Sequence, residues 1–100
     1  MHYLLIYEVA PDYLVRRPLF RAAHLALGWQ AVERGELLLA GAAGEPVEGG
    51  ILLFRADTPA VPTAFAEADP YVVNGLVTRW RVIPWNTVVG REAANPVRVG

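Results

Sequence analysis

The chain of 100 residues contains no cysteine and only two histidines, His2 and His24. Without cysteine it can form no disulfide framework, no thiolate-ligated zinc site and no thiol nucleophile. Its glycine pair, Gly49-Gly50, fits neither a phosphate-binding loop nor a dinucleotide-binding fingerprint. We therefore expect neither a bound metal nor an organic cofactor.

The sequence is also poor in net charge and in long apolar runs. Nine basic residues, all arginine, stand against ten acidic ones, so the formal net charge is -1. Nucleic-acid binders normally carry a basic stripe, which is missing here. The longest apolar runs, Tyr3–Tyr7 and Leu37–Ala43, are far shorter than the roughly 18 residues of a membrane span. Glu8 and Asp12 interrupt any resemblance to a signal peptide, so we expect a cytoplasmic protein with no nucleic-acid or membrane partner.

Hydrophobic residues make up 54% of the chain, enough for one core. Their periodicity predicts strands and helices in the order βαββαβ, the pattern of a ferredoxin-like α+β domain with a four-stranded antiparallel sheet. The predicted elements are strand His2–Val9, a helix from about Pro18 to Arg34, strands Leu37–Ala42 and Ile51–Ala56, a helix from about Pro59 to Asp69, and strand Leu76–Trp85. We expect one domain over residues 1–90 and a flexible or partner-draped tail over 91–100.

Two helices can cover only one face of such a sheet, whereas the predicted strands carry apolar residues on both faces. The uncovered face should therefore meet a second copy of the chain, which predicts a homodimer or a higher homo-oligomer. The first helix has two apolar stripes. The stripe predicted to face the sheet is Ala22, Leu25, Trp29 and Val32, and the one beside it is Phe20, His24, Leu27 and Ala31.

His24 and Asp69 are the candidates for acid/base chemistry. An imidazole at the margin of an apolar stripe can exchange protons near neutral pH. Asp69 ends the second helix, where the macrodipole disfavours an acid, so some interaction should compensate. A hydrogen bond between the two would orient His24 as a general base or acid. The alternatives are a partly buried histidine satisfied by one hydrogen bond and an exposed, turn-forming aspartate before Pro70.

Four further residues are candidates for substrate binding. Tyr71 could donate a phenolic hydrogen bond to a substrate oxygen, or simply pack. Arg21, one helical turn before His24, could reach an acidic substrate, or pair with a surface glutamate. Arg79 and Arg81 share a face of the last strand with Val77 and Ile83. These two arginines could hold a carboxylate if that face lines a cleft; otherwise they are solvated charges.

The chain resembles the YciI-related family throughout residues 1–90. The resemblance rests on Arg21, His24-Leu25-Ala26, Gly35-Glu36-Leu37, Ala40-Gly41, Ala68-Asp69-Pro70-Tyr71 and Asn74-Gly75-Leu76. It implies a ferredoxin-like fold, a dimer of the α+β barrel kind also seen in muconolactone isomerase, and a catalytic dyad formed by His24 and Asp69. One known activity in the family is dehydrochlorination of a chlorinated aromatic intermediate, but the resemblance implies no substrate here. This chain departs from many relatives in the longer loop Gly41–Pro46.

We therefore predict a small cofactor-independent enzyme that uses a His24–Asp69 dyad for elimination or isomerisation of a small polar or aromatic metabolite. The alternative is a non-catalytic dimer that binds a metabolite or regulates a partner enzyme. A third option, suggested by related dimeric barrels, is haem ligation by histidine. A His24 ring more than about 4 Å from Asp69 and sealed from solvent would favour the non-catalytic alternative.

Overall fold

The computed structural model describes residues 1–100. The main elements follow the predicted order, and one short helix was not predicted. The elements are β1 (His2–Val9), α1 (Tyr13–Glu33), β2 (Leu37–Ala43), β3 (Gly49–Arg55), α2 (Ala60–Ala68), α3 (Pro70–Val73) and β4 (Val77–Trp85). The additional helix, α3, lies between the predicted second helix and the predicted last strand. No helix has both the length and the apolar character needed to cross a membrane.

The four strands form one antiparallel sheet in the order β2-β3-β1-β4. This order, with both long helices on one face, confirms the predicted ferredoxin-like α+β fold. The central strand β1 points Tyr3, Leu5 and Tyr7 into the core. There they meet Phe54 of β3 and Phe65 of α2, whose rings pack edge to face at 5.3 Å.

Helix α1 begins five residues before the predicted start, so that Pro18 lies inside the helix instead of in its first turn. A proline there removes one backbone hydrogen bond. The extra turn is held by backbone bonds from Val15 and Arg16 to the carbonyl of Asp12 and by burial of Tyr13. The helix therefore starts at Tyr13 and continues through Pro18.

The two apolar stripes of α1 are exchanged relative to the prediction. Ala31 is fully buried against the core, and Phe20 and Leu27 pack beside it. Trp29, predicted to face the sheet, is 65% exposed. The small Ala31 side chain allows the helix to approach the sheet closely. The bulky Trp29 side chain lies instead on the side of the helix next to the edge strand β2. This arrangement opens a cleft between α1 and β2.

A register shift opposite Glu8 and Val9 changes the alternation of β4. Val77 pairs with Val9 and is buried on the covered face, whereas Arg79 pairs with Glu8 and is exposed. The predicted common face for Val77 and Arg79 is therefore wrong. One extra residue in a strand moves the following side chains to the opposite face.

The face of the sheet that the helices leave uncovered carries half-buried Leu4 and Ile6 at its centre. Ile51 and Trp85 on the same face are each 46% exposed. At one end of this face the chain beyond β4 folds back on Thr87, whose hydroxyl accepts from the Ala94 N–H at 2.8 Å. The domain boundary at Gly90 and the behaviour of the tail remain predictions.

Candidate functional site

Asp69 stands at the junction of two helices. It ends α2 and is the N-cap of α3, with Pro70 in the first position and its own carboxylate accepting the Tyr71 N–H at 3.0 Å. The sequence explains this break, because a residue before proline is driven out of helical angles and aspartate is a favoured N-cap. The unfavourable position at the end of α2 is thus offset by a capping role in α3.

The Asp69 side chain is completely buried and accepts three hydrogen bonds. Besides the Tyr71 N–H, the Tyr7 hydroxyl donates to Oδ2 at 2.7 Å, and His24 Nδ1 lies 2.8 Å from Oδ1. A buried carboxylate without such donors would be strongly destabilising. Burial, together with the charge of Asp69, raises the pKa of Tyr7 far above its ordinary value. Tyr7 therefore remains a protonated donor throughout the working pH range.

The contact with Asp69 determines the tautomer of neutral His24. An ionised carboxylate only accepts, so Nδ1 carries the proton and Nε2 keeps its lone pair. The ring is further held by stacking on Tyr71, with centroids 3.8 Å apart and planes inclined by 9°. The His24 side chain is 19% exposed and lines the cleft, and its Nε2 makes no hydrogen bond within the chain. The Asp69 contact and the Tyr71 stacking therefore fix the orientation of Nε2, which can accept a proton from a molecule in the cleft.

The cleft between α1 and β2 has a volume of about 400 Å³. This is the size of a small-molecule site. Its apolar wall includes Leu25, Trp29, Val32, Leu37, Leu52 and Phe65. Its polar groups are His24, Tyr7, Tyr13, Tyr71, Arg17 and Arg21, and neither aspartate nor glutamate lines it. The cleft is therefore suited to a small, partly apolar molecule that is neutral or negatively charged.

The structure brings together four of the six predicted site residues. His24 and Asp69 are in direct contact, and Tyr71 and Arg21 line the same cleft as His24. It does not bring Arg79 and Arg81 there. Both are exposed on the uncovered face of the sheet, where Arg79 lies 3.8 Å from Glu8. Of the two readings left open by the sequence, their exposure favours solvated charges over a carboxylate site in this cleft.

The sequence analysis did not identify three residues of the site, Tyr7, Tyr13 and Arg17. Arg17 was open to detection, because it lies four residues before Arg21 and seven before His24, on the same side of one helix. Tyr7 lies on the face of β1 that packs into the core, so its position in the strand indicates a core residue. Only tertiary contact shows that its hydroxyl reaches Asp69.

The other imidazole lies elsewhere. His2 is buried beneath the tail, with Nδ1 2.6 Å from the Thr87 hydroxyl and Nε2 fully buried without a partner. Burial, assisted by the charge of Arg55 and the N-terminus, lowers the pKa of His2. No three His, Asp or Glu side chains cluster as a metal-binding group would require.

The fold agrees with that of similar proteins. Residues 1–86 match the YCII-related domain. The structure is similar to that of 5-chloro-2-hydroxyhydroquinone dehydrochlorinase from Burkholderia phenoliruptrix AC1100 in complex with 2,5-dihydroxybenzoquinone, with a TM-score of 0.73 and 25% sequence identity. That similarity covers 87% of this chain and 95% of the dehydrochlorinase. No curated protein matches the chain. The family match over most of the chain confirms the resemblance seen in the sequence, and the chain belongs to the YCII-related domain family.

Proposed function

We propose that the protein is a small enzyme in which a His24–Asp69 dyad performs acid/base chemistry on a small polar or aromatic metabolite, without an organic cofactor or metal. The observation that carries this proposal is the combination of two facts about His24. Its Nδ1 is tied to a buried carboxylate, and its Nε2 is free at the wall of a cleft. A general base needs both a fixed orientation and access to the proton that it removes.

The reaction that this arrangement favours is an elimination. His24 Nε2 accepts a proton from the substrate, and the electron pair left behind forms a new double bond while the leaving group departs as an anion. The Asp69 carboxylate stabilises the resulting imidazolium without taking its proton. The proton then passes to solvent, which restores the neutral ring. No oxidant or reductant is needed.

The comparison with the dehydrochlorinase supports elimination over isomerisation. That protein removes chloride from a hydroxylated ring, as its name states, and it is 25% identical in sequence in a similarity that covers 87% of this chain. Its structure holds a small dihydroxylated quinone. A cleft of about 400 Å³ has room for a ring of that size. We therefore place hydroxylated rings with a leaving group first among the substrates to test.

The proposed working form is a homodimer joined through the uncovered sheet face. Ile51 and Trp85, each 46% exposed, and Leu39, 72% exposed, leave apolar area on that face that a second copy would cover. A face-to-face pair of sheets closes the barrel that the family resemblance implies. Sedimentation equilibrium would give twice the mass of the chain, and Ile51→Glu would shift the protein to the monomer.

The test of the enzyme proposal is chloride release from a panel of chlorinated hydroquinones and hydroxyhydroquinones. We expect release by the native protein and a loss in His24→Ala with the fold intact by circular dichroism. Retained turnover in His24→Ala would remove the dyad from the mechanism. The non-catalytic alternative predicts that the native protein binds such rings without any chemical change over the spontaneous rate.

A further inference from the structure

One end of the cleft is built from groups that lack partners within the chain. The Tyr71 and Tyr13 side chains are largely buried and line the cleft, and neither hydroxyl donates to any group of the protein. Neither oxygen is a buried atom without a partner, so both hydroxyls reach the surface of the cleft. Their rings meet edge to face at 5.7 Å, so the two residues form one continuous wall. The wall thus offers two neighbouring phenol donors to a molecule in the cleft, and no group of the chain uses them.

The arginines at the same end are also unpaired. Arg16, Arg34, Arg55 and Arg79 each lie within 4.0 Å of a carboxylate, whereas Arg17 and Arg21 have no such partner and line the cleft. The Arg17 guanidinium is positioned over the Tyr13 ring, 5.7 Å from its centroid. With no acidic residue in the lining, these two charges give the cleft a local charge opposite to the net charge of the chain.

All four groups act on the same small volume. Burial raises the pKa of Tyr71, the neighbouring Tyr13 adds to this effect, and the charges of Arg21 and Arg17 oppose it. Tyr13, Arg17, Arg21 and Tyr71 all line this one cleft, so the two guanidiniums and the two phenols belong to the same site. The same Tyr71 ring stacks on His24 at 3.8 Å, which sets this end of the cleft beside the proton acceptor.

We propose that Tyr13, Arg17, Arg21 and Tyr71 form an oxyanion subsite that holds a carboxylate or an ionised ring hydroxyl of the substrate beside His24. The inference rests on the proposed function in taking this cleft as the substrate site. It adds the substrate class, a small planar organic anion, and two residues, Tyr13 and Arg17, that bind it. The arginines supply charge and paired N–H donors, and the phenols supply the neutral donors that complete the shell of an oxygen pair.

Equilibrium binding tests the subsite independently of turnover. The probes are benzoate, with a ring carboxylate, 2,5-dihydroxybenzoquinone, with acidic ring hydroxyls, and benzamide, a neutral analogue of benzoate. Titrations followed by NMR shifts should show that the native protein binds at least one anion more than about tenfold tighter than benzamide. The anion that binds more tightly shows whether the subsite prefers a carboxylate or an ionised ring hydroxyl.

The variants Arg17→Gln and Arg21→Gln should each weaken binding of that anion by roughly tenfold to a hundredfold, since each removes a charged hydrogen-bond donor. Benzamide binding should change little. Arg98→Gln is the matched control, because Arg98 is exposed in the tail and has no carboxylate partner. Equal binding of benzoate, the quinone and benzamide to the native protein, or unchanged anion binding in both arginine variants, would overturn the subsite.

His24→Ala separates this inference from the proposed function. If both are right, the variant binds the anion but no longer releases chloride. Anion binding that depends on Arg17 and Arg21 together with full turnover in His24→Ala would support the subsite and refute the dyad. Loss of turnover in His24→Ala, with no preference of the native protein for anions, would support the dyad and refute the subsite.

Discussion

The two histidines of this protein make similar contacts in different surroundings. His24 Nδ1 lies 2.8 Å from the Asp69 carboxylate, and His2 Nδ1 lies 2.6 Å from the Thr87 hydroxyl. They differ at the other nitrogen. Nε2 of His24 is free at the wall of a cleft, whereas Nε2 of His2 is sealed in the protein without a partner. A hydrogen bond to Nδ1 therefore does not by itself make a catalytic imidazole; an anionic partner and an accessible Nε2 are also needed.

The hydrogen-bond partners of the two histidines, Asp69 and Thr87, also differ in charge and in their surroundings. Asp69 receives donors from β1, from α1 and from its own helix, so it is a fixed charge that can stabilise an imidazolium. Thr87 offers a neutral hydroxyl that also accepts the Ala94 N–H. In the proposed function the cleft carries the chemistry, whereas the His2–Thr87 contact attaches the tail to the sheet. Each of the following predictions sharpens or breaks this contrast.

The largest expected effect is on turnover in His24→Ala. Loss of a positioned general base lowers kcat by about 10²- to 10⁴-fold. His2→Asn is the matched control, because it removes the other imidazole and should leave kcat unchanged while lowering the thermal midpoint. Comparable losses of kcat in both variants would erase the proposed distinction.

Asp69→Asn should lower kcat by about tenfold or more, because it removes the anion that orients His24 and stabilises its protonated form. It should also lower the free energy of unfolding by about 1–3 kcal/mol, since the amide cannot accept all three hydrogen bonds. Tyr7→Phe keeps the carboxylate and removes one donor, so its loss of kcat should be smaller. Steady-state kinetics and urea unfolding measure the two effects.

At the other corner, Thr87→Val should lower the free energy of unfolding by about 1–3 kcal/mol with kcat unaffected, because the His2 Nδ1 and the Ala94 N–H both lose a buried partner. The control is Thr78→Val, which removes an exposed hydroxyl 3.3 Å from the Glu8 carbonyl and should change stability little. A drop in kcat for Thr87→Val would show that the two corners are coupled.

The smallest effect concerns pH. The pKa of His2 is lowered in the folded protein, chiefly by burial and further by Arg55 and the N-terminus, against an opposing effect of Glu92. The unfolded chain therefore binds more protons as the pH falls below about 6.5, and stability declines there until the folded pKa is passed. Thermal midpoints at pH 7.5 and 5.5 should differ less in His2→Asn than in the native protein. An equal difference would exclude His2 as a source of the pH dependence.

Much of the fold follows from local pattern. The bounds of β1 match the prediction, because a strand that is apolar on both faces leaves little ambiguity. The errors arise where two arrangements have similar local energies. The stripes of α1 are both apolar, so only the close approach of Ala31 to the core decides between them. The register shift in β4 depends on its pairing with β1, which spacing along one strand cannot show.

Part of the candidate site could be predicted, because some of its residues stand in recognisable local patterns. His24 and the Asp69-Pro70-Tyr71 tripeptide could be singled out as candidates, and the compensation expected for an acid at a helix end is found in the α3 cap. The Tyr7 hydroxyl could not be, because 62 residues separate it from its partner. The surroundings of Arg79 and Arg81 stayed open in the sequence analysis, because nothing in one strand shows which face the helices cover.

The most direct test of the central claim is the tautomer of neutral His24, measured by ¹⁵N NMR of the imidazole nitrogens near pH 8. We predict the Nδ1–H form in the native protein, with an unprotonated Nε2, and a changed tautomer population in Asp69→Asn. The His2 resonances should be unaffected by that substitution. A native His24 in the Nε2–H form, or a spectrum indifferent to Asp69→Asn, would contradict the account, since no oriented base would then face the cleft.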